Sequence, residues 1–126
     1  MNGPAEISLA IKNEALRLGF SACGFSKADH LPDDAERLQN WLNKNHQASM
    51  QYMENNFEKR TDPRQLVEGS KTVISLLLNY YTDKVQSDQE APILSKYAYG
   101  TDYHFVMKDK MKELFKWIDQ QYGPIE

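Results

Sequence analysis

Cysteine is almost absent from this sequence, since Cys23 is the single one among 126 residues. No disulfide can therefore form within the chain. One thiol also cannot supply the ligand set of a cysteine-bound zinc ion or an iron–sulfur cluster. The shortage fits a cytoplasmic protein, or a piece of a longer chain whose cysteines lie elsewhere.

Long hydrophobic runs and a strong charge of one sign are missing as well. No apolar stretch approaches the roughly 18 to 20 residues that a membrane span needs. The N-terminus lacks the basic and then apolar regions of a secretory signal. The formal net charge of −3 argues against a protein that binds nucleic acid over its whole surface, but it allows a local basic patch.

Metal-binding motifs such as HExxH are also missing. His30 and His46 have no partner at ligand spacing, so both are interpreted as ordinary loop or helix-end residues. Cys23 is interpreted as a small buried side chain of a strand rather than a reactive thiol.

The composition that is present is that of a globular protein, with 40% hydrophobic and 11% aromatic residues. Residues 1–126 are expected to form a single domain. Apolar spacing and end signals predict helices over Pro4–Leu18, Asp33–Asn45, Ser49–Asn56 and Asp102–Tyr122. The buried stripe of the last helix is predicted to be Met107, Met111, Leu114, Phe115, Ile118 and Tyr122.

Three strands are predicted, over Phe20–Ser26, Thr72–Tyr81 and Ile93–Gly100. The second is a nearly continuous apolar run, so we expect a central strand that is covered on both faces. The polar segment Thr82–Pro92 between the last two strands is expected to be a surface loop. The fold class is therefore α/β (α+β), a partial sheet flanked by helices. Because three strands make a thin sheet, we expect the chain to be part of a larger fold.

The segment KRTDPR, Lys59 to Arg64, gathers three cations at a helix start. Asp62 and Pro63 are suited to the cap and the first helical position, so a capped turn with solvated cations is one interpretation. The other is an anion or phosphate contact by Lys59, Arg60 and Arg64, aided by the helix N-terminus.

The segment KYAYGTDYHF, Lys96 to Phe105, collects three tyrosines and a histidine where a strand is predicted to meet a helix capped by Thr101 and Asp102. Alternation along a strand would point Tyr97 and Tyr99 to one face. Ligands often bind at such strand ends in α/β proteins. The residue pattern alone leaves open whether the rings face a large flat ligand or pack on their own helix.

Four stretches of the chain carry a resemblance to a known family: Ile11–Ala28, Met50–Tyr81, Lys96–His104 and Phe105–Tyr122. In this order they resemble the N-terminal part of the epoxyqueuosine reductases, the cobalamin-dependent iron–sulfur enzymes of queuosine synthesis in tRNA. Two of them contain segments similar to the family patterns KRxDPRxL and YARGxDYH. Tyr99 stands where many members carry arginine, which weakens an anion contact there.

This resemblance implies a cytoplasmic oxidoreductase that reduces epoxyqueuosine to queuosine in tRNA, with cobalamin acting on the substrate and [4Fe–4S] clusters supplying electrons. It implies a nitroreductase-like cobalamin-binding domain, of which residues 1–126 would be the N-terminal portion. Cofactor- or substrate-facing roles are implied for Tyr97, Tyr99, Tyr103 and His104, and cofactor or tRNA phosphate contacts for Lys59, Arg60 and Arg64.

The same resemblance places the proton donor beyond Glu126 and the cluster cysteines further on. A chain with Cys23 alone is then expected to be inactive by itself. Two other interpretations remain at this point. One is a non-catalytic cobalamin-binding or trafficking module, and the other is a structural interaction domain whose tyrosines form part of the core.

Overall fold

The computed structural model describes residues 3–124. It contains four α-helices, two strands and three short 3₁₀ helices. The helices are α1 (Pro4–Arg17), α2 (Pro32–Asn43), α3 (Phe57–Thr61) and α4 (Tyr103–Tyr122), and the strands are β1 (Ala22–Lys27) and β2 (Thr72–Leu77). The 3₁₀ helices are Gln51–Met53, Pro63–Gln65 and Lys96–Ala98. No helix within residues 3–124 has the length and apolar character needed to cross a membrane.

Strands β1 and β2 pair in a two-stranded sheet. The backbone N–H of Ser21 donates to the carbonyl oxygen of Leu77 at 2.8 Å, and that of Ala28 donates to Lys71 at 2.9 Å. Pairing an early residue of one strand with a late residue of the other makes the sheet antiparallel. The expected α+β class is therefore confirmed.

The described residues form two compact units. The first combines the residues up to Gly24 with those from Leu76 onward, and its core lies between α1 and α4. Four buried side chains supply that core: Ile11, Ala15, Leu114 and Ile118. Burial of one such aliphatic side chain contributes about 1.5 to 3 kcal/mol to folding.

The predicted stripe of α4 is only partly buried. Leu114 and Ile118 are buried, whereas Met111 and Phe115 are 48% and 54% exposed. A stripe of six residues is wider than the contact that one neighbouring helix makes, so its edges stay open to solvent.

The second unit runs from Phe25 to Ser75 and contains α2 and α3. Thr61 of this unit is only 2% exposed. The Thr61 hydroxyl donates to the carbonyl oxygen of Phe57 at 3.1 Å, while its own carbonyl oxygen accepts from the N–H of Leu31 at 2.8 Å. These bonds satisfy the polar groups of a fully buried residue.

The segment Ile93–Gly100 is not a strand, contrary to the prediction. Local hydrogen bonds curl it into a 3₁₀ helix, because the N–H of Ala98 donates to Ser95 and that of Tyr99 donates to Lys96. No third strand within residues 3–124 offers the partner that an extended conformation requires.

The predicted strand Thr72–Tyr81 is shorter and more exposed than expected. The side-chain oxygen of Asn79 accepts a hydrogen bond from the N–H of Tyr81 at 2.9 Å, a local turn that competes with strand pairing. Strand β2 therefore ends at Leu77, which is 64% exposed. The expectation of a strand covered on both faces is wrong for this structure.

The predicted helix Ser49–Asn56 does not form either, because the 3₁₀ helix Gln51–Met53 and a turn occupy that range and α3 begins only at Phe57. Asn56 is the reason for the break, since its φ of 58° lies in the left-handed region, which a continuous helix excludes. The predicted loop Thr82–Pro92 is confirmed as a segment without helix or strand.

Candidate functional site

Four rings of the first unit lie in a row, which we call the aromatic row: Tyr80, Tyr97, Tyr103 and His104. The rings of Tyr80 and Tyr97 meet edge to face with centroids 6.3 Å apart, and those of Tyr97 and Tyr103 meet at 6.0 Å. The Tyr103 ring stacks on the His104 imidazole at 4.1 Å. These are the geometries that aromatic rings prefer, so the row is held by its own contacts.

The row is a surface feature rather than core. Tyr80 is 63% exposed, Tyr97 is 52% exposed and Tyr103 is 39% exposed. Such rings offer apolar faces together with hydroxyl and imidazole groups that can form hydrogen bonds. The arrangement suits a large flat molecule with polar edges.

Tyr99 does not join this row, contrary to the prediction that it shares a face with Tyr97. The turn Lys96–Ala98 replaces strand alternation, and Tyr99 instead lines an open pocket with Lys84, Gln86 and Leu94. Within the predicted set, Tyr97, Tyr103 and His104 are therefore brought together and Tyr99 is set apart.

Lys96 is a site neighbour that the sequence interpretation missed. Its ammonium group lies 4.3 Å from the centroid of the Tyr81 ring and donates to the carbonyl oxygen of Thr82. In the sequence, Lys96 stands close to the three tyrosines of its own segment. Only the folded chain brings the Lys96 side chain onto Tyr81, which lies fifteen residues earlier.

Asp102 is the N-cap of α4, as predicted. Its side-chain Oδ1 accepts from the backbone N–H of His104 at 2.9 Å, and the same oxygen lies 2.8 Å from the ring Nδ1 of His104. The backbone N–H of His104, followed by its ring, lowers the pKa of the Asp102 carboxyl below its usual value. The carboxylate therefore stays charged beside the imidazole.

Lys59 and Arg60 line one open pocket of the second unit, together with Asn56 and Leu66. The Arg60 guanidinium donates to the carbonyl oxygen of Asn55 at 3.0 Å and to that of Tyr52 at 3.1 Å. Arg60 is thus partly engaged in holding the preceding loop, although backbone carbonyls do not neutralise its charge.

Arg64 lies in a different setting from the other two cations. Two of its nitrogens bind the Asp62 carboxylate at 2.9 and 2.7 Å, and a third lies 3.3 Å from Asp29. The side-chain hydrogen bond from Arg64 lowers the pKa of Asp62. Two carboxylates around one guanidinium leave little net positive charge there. An additional anion would therefore bind less favourably at Arg64 than at Lys59.

The remaining candidate ligands do not cluster. No group of three or more His, Cys, Asp or Glu side chains within residues 3–124 is arranged to hold a metal ion. Cys23 is buried, and burial raises the pKa of its thiol, which disfavours the thiolate. His46 meets the Trp41 ring edge to face at 6.5 Å, an ordinary packing contact.

Comparison with known proteins gives consistent matches. The family model described as Epoxyqueuosine reductase QueG, DUF1730, matches residues 60–125. A curated protein of Cellulophaga algicola, named Epoxyqueuosine reductase, is 52% identical over 99% of this chain. A protein of the same name from Leadbetterella byssophila is 51% identical over 95% of the chain.

A solved structure shows the same fold. The structure of epoxyqueuosine reductase from Streptococcus thermophilus superposes with a TM-score of 0.76 and 28% identity, covering 89% of this chain and 31% of that one. The present chain covers 40% of the Cellulophaga protein and 39% of the Leadbetterella protein. It therefore spans about two fifths of the length of these curated relatives.

Proposed function

Because the chain belongs to the epoxyqueuosine reductase family, we propose that it forms the N-terminal portion of a cytoplasmic reductase that converts epoxyqueuosine to queuosine in tRNA. The observation that carries the proposal is the family match over residues 60–125, which includes the whole aromatic row. The aromatic row supports the proposal chemically, because its exposed rings present flat surfaces and hydrogen-bonding groups to solvent.

Cobalamin is the cofactor that we propose for this reductase, and its reduced cobalt would act on the substrate. The residues present fit such a group, because Tyr97, Tyr103 and His104 expose ring surfaces that can pack along a large macrocycle. Tyr99 would contact the cofactor or substrate from its own pocket, separately from the row.

Iron–sulfur clusters do not fit this chain alone. A [4Fe–4S] cluster uses four cysteine thiolates, and Cys23 is the single cysteine. We therefore assign the clusters, and the proton donor expected beyond Glu126, to other parts of the proposed reductase. Residues 1–126 by themselves are expected to show no reductase activity.

We assign contact with tRNA first to Lys59 and Arg60. No carboxylate within residues 3–124 forms an ion pair with either of these side chains. Arg64 remains a candidate, but its pairing with Asp62 and Asp29 makes it a weaker one. Phosphate contacts of this kind position a nucleic acid without reading its sequence.

A chimera tests the proposal directly. Residues 1–126 replace the matched segment of the Cellulophaga protein, and the product is expressed in cells that lack epoxyqueuosine reductase. Mass spectrometry of digested tRNA then measures queuosine against epoxyqueuosine. We expect queuosine to be restored by the chimera and by the unaltered relative, but not by residues 1–126 alone.

A chimera that is soluble and has the near-ultraviolet circular dichroism of the relative, yet leaves only epoxyqueuosine, would overturn the proposal. Titration of residues 1–126 with cobalamin gives a second test. An unchanged visible spectrum near 1 mM excludes an affinity better than about −4 kcal/mol. That result, with an inactive chimera, would favour a structural interaction domain.

A further inference from the structure

The pair formed by Asp102 and His104 is more than a helix cap. Capping requires only that Oδ1 of Asp102 accept the backbone N–H of His104, which it does at 2.9 Å. The same oxygen also lies 2.8 Å from the ring Nδ1, so the side chain of His104 folds back onto its own cap. The second contact adds nothing to capping and fixes the ring instead.

This contact selects one tautomer of the neutral imidazole. A carboxylate can only accept hydrogen bonds, and the lowered pKa of Asp102 keeps it ionised. Nδ1 must therefore carry the proton that it donates to Asp102. In the neutral ring, the lone pair is then on Nε2, the nitrogen on the opposite side.

The surroundings leave that nitrogen open. Tyr103 stacks on the ring at an interplanar angle of 27° and so fixes the plane of the imidazole without covering its edge. The side chain of His104 is 62% exposed, and its Nε2 has no hydrogen-bond partner among residues 3–124. Lys108 is the other charged group that acts on Asp102, where it also favours the carboxylate.

We propose that Asp102 is a positioning residue that holds His104 with Nδ1–H turned toward itself, so that Nε2 accepts a hydrogen bond from a hydroxyl or amide group of the molecule bound at the aromatic row. The identity of that molecule as cofactor or modified base rests on the proposed function. The orientation of the ring does not, because it follows from contacts within α4 and its cap.

Nuclear magnetic resonance of residues 1–126 tests the orientation without any activity. Long-range ¹H–¹⁵N correlations report which ring nitrogen of His104 carries the proton. Asp102→Ser and Asp102→Asn both keep a good N-cap, but serine is too short to repeat the contact with Nδ1, whereas the asparagine oxygen can still accept from it. We expect the Nδ1–H form in the original chain and in Asp102→Asn, and a shift toward Nε2–H in Asp102→Ser.

Equal melting temperatures of the three proteins would show that the cap survives. An unchanged tautomer in Asp102→Ser would overturn the proposal, since the carboxylate would then not be setting the ring. So would a neutral ring protonated on Nε2 in the original chain.

A double-mutant cycle in the chimera tests the role of Nε2. Residues that act through one another are coupled, so Asp102→Ser should lower kcat/KM about threefold or more with His104 present and much less in a His104→Ala background. Equal losses of kcat/KM in both backgrounds would mean that Asp102 acts only as the N-cap of α4 and not through the His104 ring. If the tautomer behaves as expected while the chimera forms no queuosine, the proposed function fails and the ring orientation stands.

Discussion

Lys96 and Tyr81 are joined across the base of a loop, with the ammonium group 4.3 Å from the ring centroid. The same ammonium donates to the carbonyl oxygen of Thr82, the first residue of the loop. Within the loop, the side-chain amide of Gln86 donates to the carbonyl oxygens of Asp88 and Ala91. The loop is therefore closed at its base by one lysine and folded on itself by one glutamine.

Removal of the Lys96 charge should loosen this loop. Lys96→Met keeps an apolar stem of similar length but loses both contacts, and an exposed cation–π contact contributes about 0.5 to 1 kcal/mol. We expect faster proteolysis within Thr82–Pro92. Lys84→Met, in the same loop, is the matched control and should leave the cleavage rate nearly unchanged. Equal rates in the two variants would contradict a closing role for Lys96.

The α1–α4 core should depend on α4 residues according to their burial. Ile118 is 7% exposed, and Ile118→Ala should lower the free energy of unfolding by about 2 to 5 kcal/mol. Phe115, on the same helix, is 54% exposed, so Phe115→Ala should cost less than about 1 kcal/mol. Urea unfolding of both variants measures the difference. The prediction fails if the phenylalanine variant is the less stable one.

Asp62 should make stability depend on pH in the acid range. The hydrogen bond from Arg64 lowers the pKa of Asp62 in the folded state. The contribution of Asp62 to the free energy of unfolding is therefore fully present above its unfolded pKa, and it is lost as pH falls through the folded pKa. Asp62→Asn keeps the cap without the charge. Unfolding curves at a series of pH values should show the original chain more stable above the unfolded pKa, with the two proteins converging in acid. A constant difference at every pH would exclude the ionised pair as the cause.

Lys59 should contribute to tRNA binding through its charge. In the chimera, Lys59→Ala should weaken binding at low salt and reduce the slope of log K against log salt concentration by about 0.7 to 0.9, the loss of one phosphate contact. Lys71→Ala removes another exposed lysine of the same unit and serves as the control. Filter binding over a salt series measures the slope for each variant. Identical slopes for Lys59→Ala and Lys71→Ala would mean that Lys59 makes no phosphate contact.

Local features were predictable because they depend on neighbours within a few residues. Asp62 caps its 3₁₀ helix through the N–H of Arg64, and Asp102 caps α4 through the N–H of His104, as their sequence positions indicated. Helical spacing also predicted that Leu38, Trp41 and Leu42 share the buried face of α2, and the structure leaves these three residues half-buried.

Features that need a distant partner were not predictable in the same way. An apolar run such as Ile93–Gly100 suits a strand, but a strand forms only where another strand supplies hydrogen bonds. The ion pair between Arg64 and Asp29 joins residues 35 positions apart, so no local pattern revealed that the cation was already paired.

The sequence by itself determined the ends of α4, the α+β class and the resemblance to a reductase family, because capping, periodicity and motifs depend on residues that are close in the sequence. The tertiary structure alone decided which rings meet. It brought Tyr97, Tyr103 and His104 into one row and turned Tyr99 away, because a turn at Lys96–Ala98 replaced the alternation of a strand. Side-chain direction depends on backbone conformation, and the backbone here follows hydrogen bonds that only the folded chain can assign.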